Sequence, residues 1–156
     1  MIKKRWFAAA LLLLMSCGGS SSPAPTQPSG TAAGAVQGFM KAVADSNLAK
    51  MATFWGTANG PASQTKQPPD WQRRIAIMQA YLQNDSFRLT ADVPGADQEH
   101  RDLQVEIKRQ TCTWSIPFVA VKSGQGWVVT QVDISAAGNP ARGCADGAPP
   151  DSAKRG

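Results

Sequence analysis

The chain has no long apolar run. The run from Phe7 to Met15 is nine residues, against the roughly 20 that a helix needs to span a hydrocarbon core. Histidine is nearly missing: His100 is the single one among 156 residues, and cysteine occurs three times. With so few ligands, the usual zinc sets lack their parts, and so does a cysteine nucleophile with a histidine base. His100 itself falls in a polar turn, the setting of a solvated histidine. Tyrosine is represented by Tyr81 alone. The sequence shows no glycine-rich phosphate loop and no serine nucleophile elbow. These gaps leave no catalytic residue, metal or cofactor to predict.

Excess charge is also lacking. The chain carries 16 Lys and Arg against 11 Asp and Glu, a formal +5. Three of those cations, Lys3, Lys4 and Arg5, stand in the leader described next. Removing them leaves 13 against 11, or +2. The remaining cations are scattered, with short pairs at Arg73-Arg74 and Lys108-Arg109, as on solvated faces rather than along a phosphate track. Nucleic acid is not an expected partner.

What is present begins with an address. Lys3, Lys4 and Arg5 precede the apolar run, which has the length and flank of a signal peptide rather than of a stable anchor. Leu14-Met15-Ser16-Cys17 then resembles a bacterial lipobox, with an aliphatic residue at −3, a small one at −1 and the obligatory cysteine. Met15 at −2 departs slightly from the usual small or β-branched residue. The resemblance implies removal of residues 1–16 and attachment of diacylglyceryl to Cys17. One acyl chain binds a membrane only marginally, whereas two or three anchor stably. Gly18, where an aspartate would favour the inner membrane, implies the outer membrane and a domain facing the periplasm.

Residues 18–33 carry no charge and almost no bulky apolar side chain, so they cannot offset the entropy of ordering. With Cys17 they read as a tether, its coil dimension roughly 20–25 Å. From Gly34 the pattern becomes periodic. Val36, Phe39, Met40 and Val43 form one helical stripe, and Leu48, Met51, Phe54 and Trp55 form a second. Asp45-Ser46-Asn47 breaks the two apart. Gly56 to Pro69 reads as loop. Asp70 follows two prolines and is expected to cap a third helix, whose inward stripe is Trp71, Ile75, Met78 and Leu82.

Strands follow. Phe87 to Val93 is short. Leu103, Val105 and Ile107 alternate with polar residues as in a half-buried antiparallel strand. Cys112 to Lys122 is the next, with Pro117 predicting a bulge or an edge. Trp127 to Ile134 is the last. The expected fold is α+β, with three N-terminal helices on a curved antiparallel sheet of about four strands. It spans residues 34–135 and is followed by an irregular tail over 136–156. With Cys17 lipidated, Cys112 and Cys144 remain in an oxidising compartment, where one disulfide between them is expected; two buried thiols are the alternative.

Helices first and a curved sheet last resembles the nuclear-transport-factor-2-like cone fold, also called ketosteroid-isomerase-like. The residues carrying this are the Asp45-Ser46-Asn47 break, Leu48 after it, and the closing Gly124-Gln125-Gly126-Trp127-Val128-Val129 hairpin. The chain looks most like small lipid-anchored bacterial members of unassigned role. The fold implies a cone pocket and, among relatives, common homodimers. It hosts enzymes, adaptors and ligand binders alike.

Isomerases of that fold place an acidic base and a tyrosine-centred oxyanion hole inside the cone. Tyr81 has no carboxylate at a recognisable family spacing. Asp133, between Val132 and Ile134, reads as an outward position. The mature chain's tryptophans, Trp55, Trp71, Trp114 and Trp127, admit two readings. They fill the core between helices and sheet, or else Trp55, Trp71 and Trp114, with Tyr81, line a cone pocket for an apolar ligand. The leading functional expectation is an envelope lipoprotein, held to the membrane through Cys17, that binds a partner protein or small apolar ligand without catalysis. The alternative is an isomerase- or dehydratase-like enzyme in the same pocket.

Overall fold

A computed structural model describes residues 29–142 and Cys144. The expected signal peptide, Cys17 and most of the expected tether lie outside the described residues, as does the tail beyond Cys144.

Helix α1, Ala32–Ala44, opens with the Thr31 side chain accepting from the Gly34 amide at 3.0 Å, which satisfies one exposed backbone donor. Val36, Phe39, Met40 and Val43 are all buried, as their spacing requires. Ser46 turns the chain with φ of 50°. Asn47 then caps α2, Leu48–Phe54, through the Lys50 amide at 2.9 Å. Two members of the second stripe behave differently from expectation. Leu48 is 43% exposed. Trp55 has left the helix for an extended conformation and forms a parallel bridge with Val129.

The segment Gly56 to Pro69 is not simply loop. It holds a two-strand ribbon, β1 Gly56–Thr57 with β2 Gly60–Pro61, and one turn of helix, α3 Ala62–Thr65. A side chain on Gly56 would collide with the Gly60 carbonyl, so glycine permits the close approach. Helix α4, Trp71–Leu82, buries Ile75, Met78 and Leu82. Asp70 precedes it without capping it by a side-chain hydrogen bond. Its carboxylate accepts from Arg74 Nε at 2.9 Å instead.

The sheet is a meander in the order β3-β4-β5-β6, all antiparallel: β3 Ser86–Pro94, β4 His100–Arg109, β5 Cys112–Ser123 and β6 Gly126–Val132. Its helix-facing side carries Phe87 opposite Ile107, Leu89 opposite Val105, and Trp114 opposite Ile107. Irregularities between Leu89 and Ala91, and between Val119 and Ala120, shift the register. Such bulges bend strands and increase twist. Pro117 is neither at an edge nor at a bulge. It sits in the interior strand β5 where β6 ends: Asp133 donates to the Pro117 carbonyl at 3.0 Å, and Pro117 has no N–H to return the bond. There the chain leaves the sheet as a 3-10 helix, Ile134–Ala137, so Ile134 lies outside the last strand.

The folded boundaries are wider than 34–135. Ser29 bridges to Trp127, whose amide donates to the Ser29 carbonyl at 2.8 Å, so the last residues assigned to the tether belong to the fold. At the other end, Ala137 is fully buried. Cys112 and Cys144 sit at disulfide-bonding distance with their Cα atoms 5.7 Å apart.

Candidate functional site

The helix-facing side of the sheet is filled. Phe39 of α1 and Phe118 of β5 meet there, and Met40, Met51, Ile75 and Ile116 around them are all less than 2% exposed. The apolar opening lies outside this core. It is a groove of about 400 Å³ between α4 and the end of β6, bordered by Trp55, Arg74, Ile77, Met78, Val132 and Ile134. Ile77 falls off the buried stripe of α4 and is 38% exposed. Arg74 stands at the rim, paired with Asp70, both side chains more than half exposed. That hydrogen bond holds the Asp70 carboxyl below its ordinary range.

The four aromatic residues expected to line one pocket are not brought together. Trp55 alone among them borders the groove, and it is 96% buried, being 4% exposed. Trp71 is half-buried, with Lys66 Nζ 5.6 Å from its ring centroid. Trp71 and Tyr81 stand ten residues apart on α4, about 15 Å along its axis, too far to face one small ligand. Trp114 lies in β5 with the Arg109 guanidinium 5.0 Å from its ring centroid. On Trp114's other contact, a Cβ at Gly138 would fall 2.7 Å from its Nε1. Tyr81 contributes its carbonyl to Arg109.

His100 is the first residue of β4 rather than a turn residue, and its Nδ1 is 2.6 Å from Oδ1 of Asp97 in the preceding turn. This bond lowers the Asp97 pKa. Asp133 is exposed and accepts from the Ser135 amide at 3.1 Å. Among the described residues no three His, Cys, Asp or Glu side chains are grouped to hold a metal ion, and no helix is long and apolar enough to cross a membrane.

A second opening gathers residues that the sequence did not single out as a site. Between the C-terminal ends of α1 and α4 lies a pocket of about 280 Å³, bordered by Val43, Ala80, Asn84, Asp85, Arg109 and Pro140. Arg109 is held by two carbonyls: its Nε donates to Gln83 at 2.8 Å and its Nη2 to Tyr81. Burial pushes its pKa down, with Asp85 opposing. In sequence these residues read only as a charge pair and a helix end.

No family model and no curated protein matches the chain. Among solved structures it is similar to an NTF-2-like protein of unknown function from Shewanella oneidensis MR-1. Identity is 12% and the TM-score 0.42, over 64% of this chain and 91% of that one.

Proposed function

We propose that this chain is an envelope lipoprotein, anchored through Cys17, whose cone-like α+β domain captures a small apolar ligand or an apolar side chain of a partner protein without catalysis. The observation that carries the reading is the Ile77 groove. The core under the helices is packed, yet Ile77, Met78, Val132 and Ile134 line an open groove beside Trp55, with Arg74, Thr130 and Gln131 as its polar members. Apolar clefts with a few polar groups at the rim are the general form of binding sites. The enzymatic alternative calls for a proton-retaining carboxylate facing Tyr81. The perturbed carboxylates, Asp70, Asp97 and Glu106, are shifted the opposite way, each by a hydrogen bond to a cation-forming side chain.

The test is a native mass spectrum of protein purified gently from bacterial membranes. The expected mass lacks residues 1–16, carries a diacylglyceryl or triacyl increment on Cys17, and shows an additional non-covalent species lost in an Ile77→Asp variant. A chain that keeps its first 16 residues or carries no lipid would overturn the anchoring. A lipidated chain whose bound species survives Ile77→Asp would overturn the groove.

A further inference from the structure

One charged residue, Arg74, borders the Ile77 groove. Trp55 and Met78 are nearly buried there, and Ile77, Val132 and Ile134 are part-exposed beside them. Thr130 and Gln131 add neutral polar groups, and among the described residues no acidic side chain borders the groove. Asp133, between Val132 and Ile134 in the chain, is committed elsewhere: its Oδ1 accepts from the Ser135 amide and hydroxyl.

The spacing of α4 sets cations beside this apolar surface. Arg73 and Arg74 precede Ile77 by four and three residues, so both are its neighbours on the helix surface. Arg74 Nε donates to Asp70 at 2.9 Å. A guanidinium has five N–H donors, and those on the two Nη atoms of Arg74 meet no protein acceptor among the described residues. Both partners of the Arg74–Asp70 pair are more than half exposed. Such pairs are weak, so a second carboxylate competes for the fork on nearly equal terms. Two arginines against Asp70 give this end of the groove an excess of one positive charge.

On the reading of this groove as the ligand site, we propose that it takes a single-chain amphiphile with a carboxylate head, of the fatty-acid class. The chain lies along Ile77, Met78 and Val132, and the head meets the free side of the Arg74 fork. A neutral apolar ligand leaves that fork unused, and a cationic amphiphile is repelled by it. Arginine's planar donors match a carboxylate in geometry as well as charge. The volume of about 400 Å³ lies toward the low end of the roughly 300–1,000 Å³ of small-molecule sites, which suits one acyl chain rather than a diacyl lipid.

The experiment is a titration of the disulfide-intact, ¹⁵N-labelled full chain with octanoate, 1-octanol and octylammonium, which share a chain and differ in the charge of the head. Cys17→Ser is included so that neither attached lipid nor detergent competes. Octanoate is expected to shift the Ile77, Met78 and Val132 amide signals saturably and to bind about five-fold tighter than 1-octanol, the equivalent of one exposed ion pair. Octylammonium is expected to be weakest. Asp70→Asn removes the competing charge and is expected to tighten octanoate about two-fold or more, with 1-octanol unchanged. Arg74→Gln is expected to bring octanoate down to the affinity of 1-octanol. Ile77→Ser, which alters no charge, is expected to weaken both. Octanoate no tighter than 1-octanol, or unmoved by Asp70→Asn, overturns the carboxylate head and leaves the groove reading standing. No saturable shift with any probe, or octanoate unweakened in an Ile77→Ser variant of native spectrum, overturns both.

Discussion

The ring of Phe39 meets the ring of Phe118 edge-on, with centroids 6.2 Å apart and planes inclined at 70°. One ring comes from the middle of α1 and the other from the interior strand β5, so the pair ties the helical layer to the sheet where a hollow cone would have its space. Edge-to-face pairs add about 0.5–1.5 kcal/mol beyond area burial. Truncation of Phe118 to alanine is expected to cost about 3–5 kcal/mol, read as a lower urea midpoint at unchanged slope. A loss under about 1 kcal/mol would show that the helix-facing side of the sheet is not closed by this pair.

Gly38 lies in the interior of α1, where alanine would ordinarily gain about 0.5–1 kcal/mol over glycine. Here a Cβ would sit 2.5 Å from Cε1 and Cζ of Phe54. Overpacking of that kind costs about 1–3 kcal/mol, so the steric effect wins. Gly38→Ala is expected to lower the thermal midpoint, and a rise would mean that α2 shifts freely against α1.

The bridge between Cys112 and Cys144 closes a loop with a sequence separation of 32. In the chain-entropy picture it contributes about 3–4 kcal/mol. Between Ala137 and Cys144, Gly138 lies against Trp114 and Pro140 borders the Arg109 pocket. Reduction, or Cys144→Ala, is expected to lower stability by up to that amount and to change tryptophan emission. Emission that stays constant on reduction would show that the segment after Ala137 stays in place without the bond.

Acid sensitivity follows from the carboxylates. Glu106 takes Nε and Nη2 of Arg88 at 2.7 and 3.0 Å, and this hydrogen bond holds its pKa below the ordinary 4.5. Asp70 and Asp97 are lowered in the same way by Arg74 and His100. A carboxylate with a depressed native pKa contributes stability above its unfolded value and loses it as pH falls through the native one. The thermal midpoint is therefore expected to fall as pH drops below about 4. Glu106→Gln should shallow that fall, and an unchanged acid limb would show that the Arg88 pair carries no linkage.

The stripes of α1 and α4 and the alternation of β4 were legible because each runs long enough for burial to repeat. Val36, Phe39, Met40 and Val43 in α1, and Leu103, Val105 and Ile107 in β4, are buried as their periods require. The ribbon at Gly56–Pro61 was not, since two-residue strands contain no period; only the Asn59-Gly60 pair hints at a turn. Asp70 had two partners within reach, and a side chain one turn along the helix, Arg74, took the carboxylate from the backbone. The aromatic residues misled because composition says how many rings exist, not which layer receives them. Asn84 and Arg109, 25 residues apart, border one pocket through the end of α4 and the end of β4, a separation that no local pattern spans.

The Ser29–Trp127 bridge fixes the point from which the preceding chain departs. Trp127 pairs with Lys122, near the Ser123 end of β5, whereas Cys112 and the Arg109 pocket lie at the opposite end of that 12-residue strand, about 35 Å away. For a chain fastened at Cys17, twelve residues before Ser29, the leash reaches at most about 40 Å. The domain then hangs by one pole, with the Arg109 pocket at the other. An anchor at Cys17, as proposed, would join the lipid to the Trp127 end of the sheet, and a leash as long as the strand leaves the Arg109 pocket free to face either way.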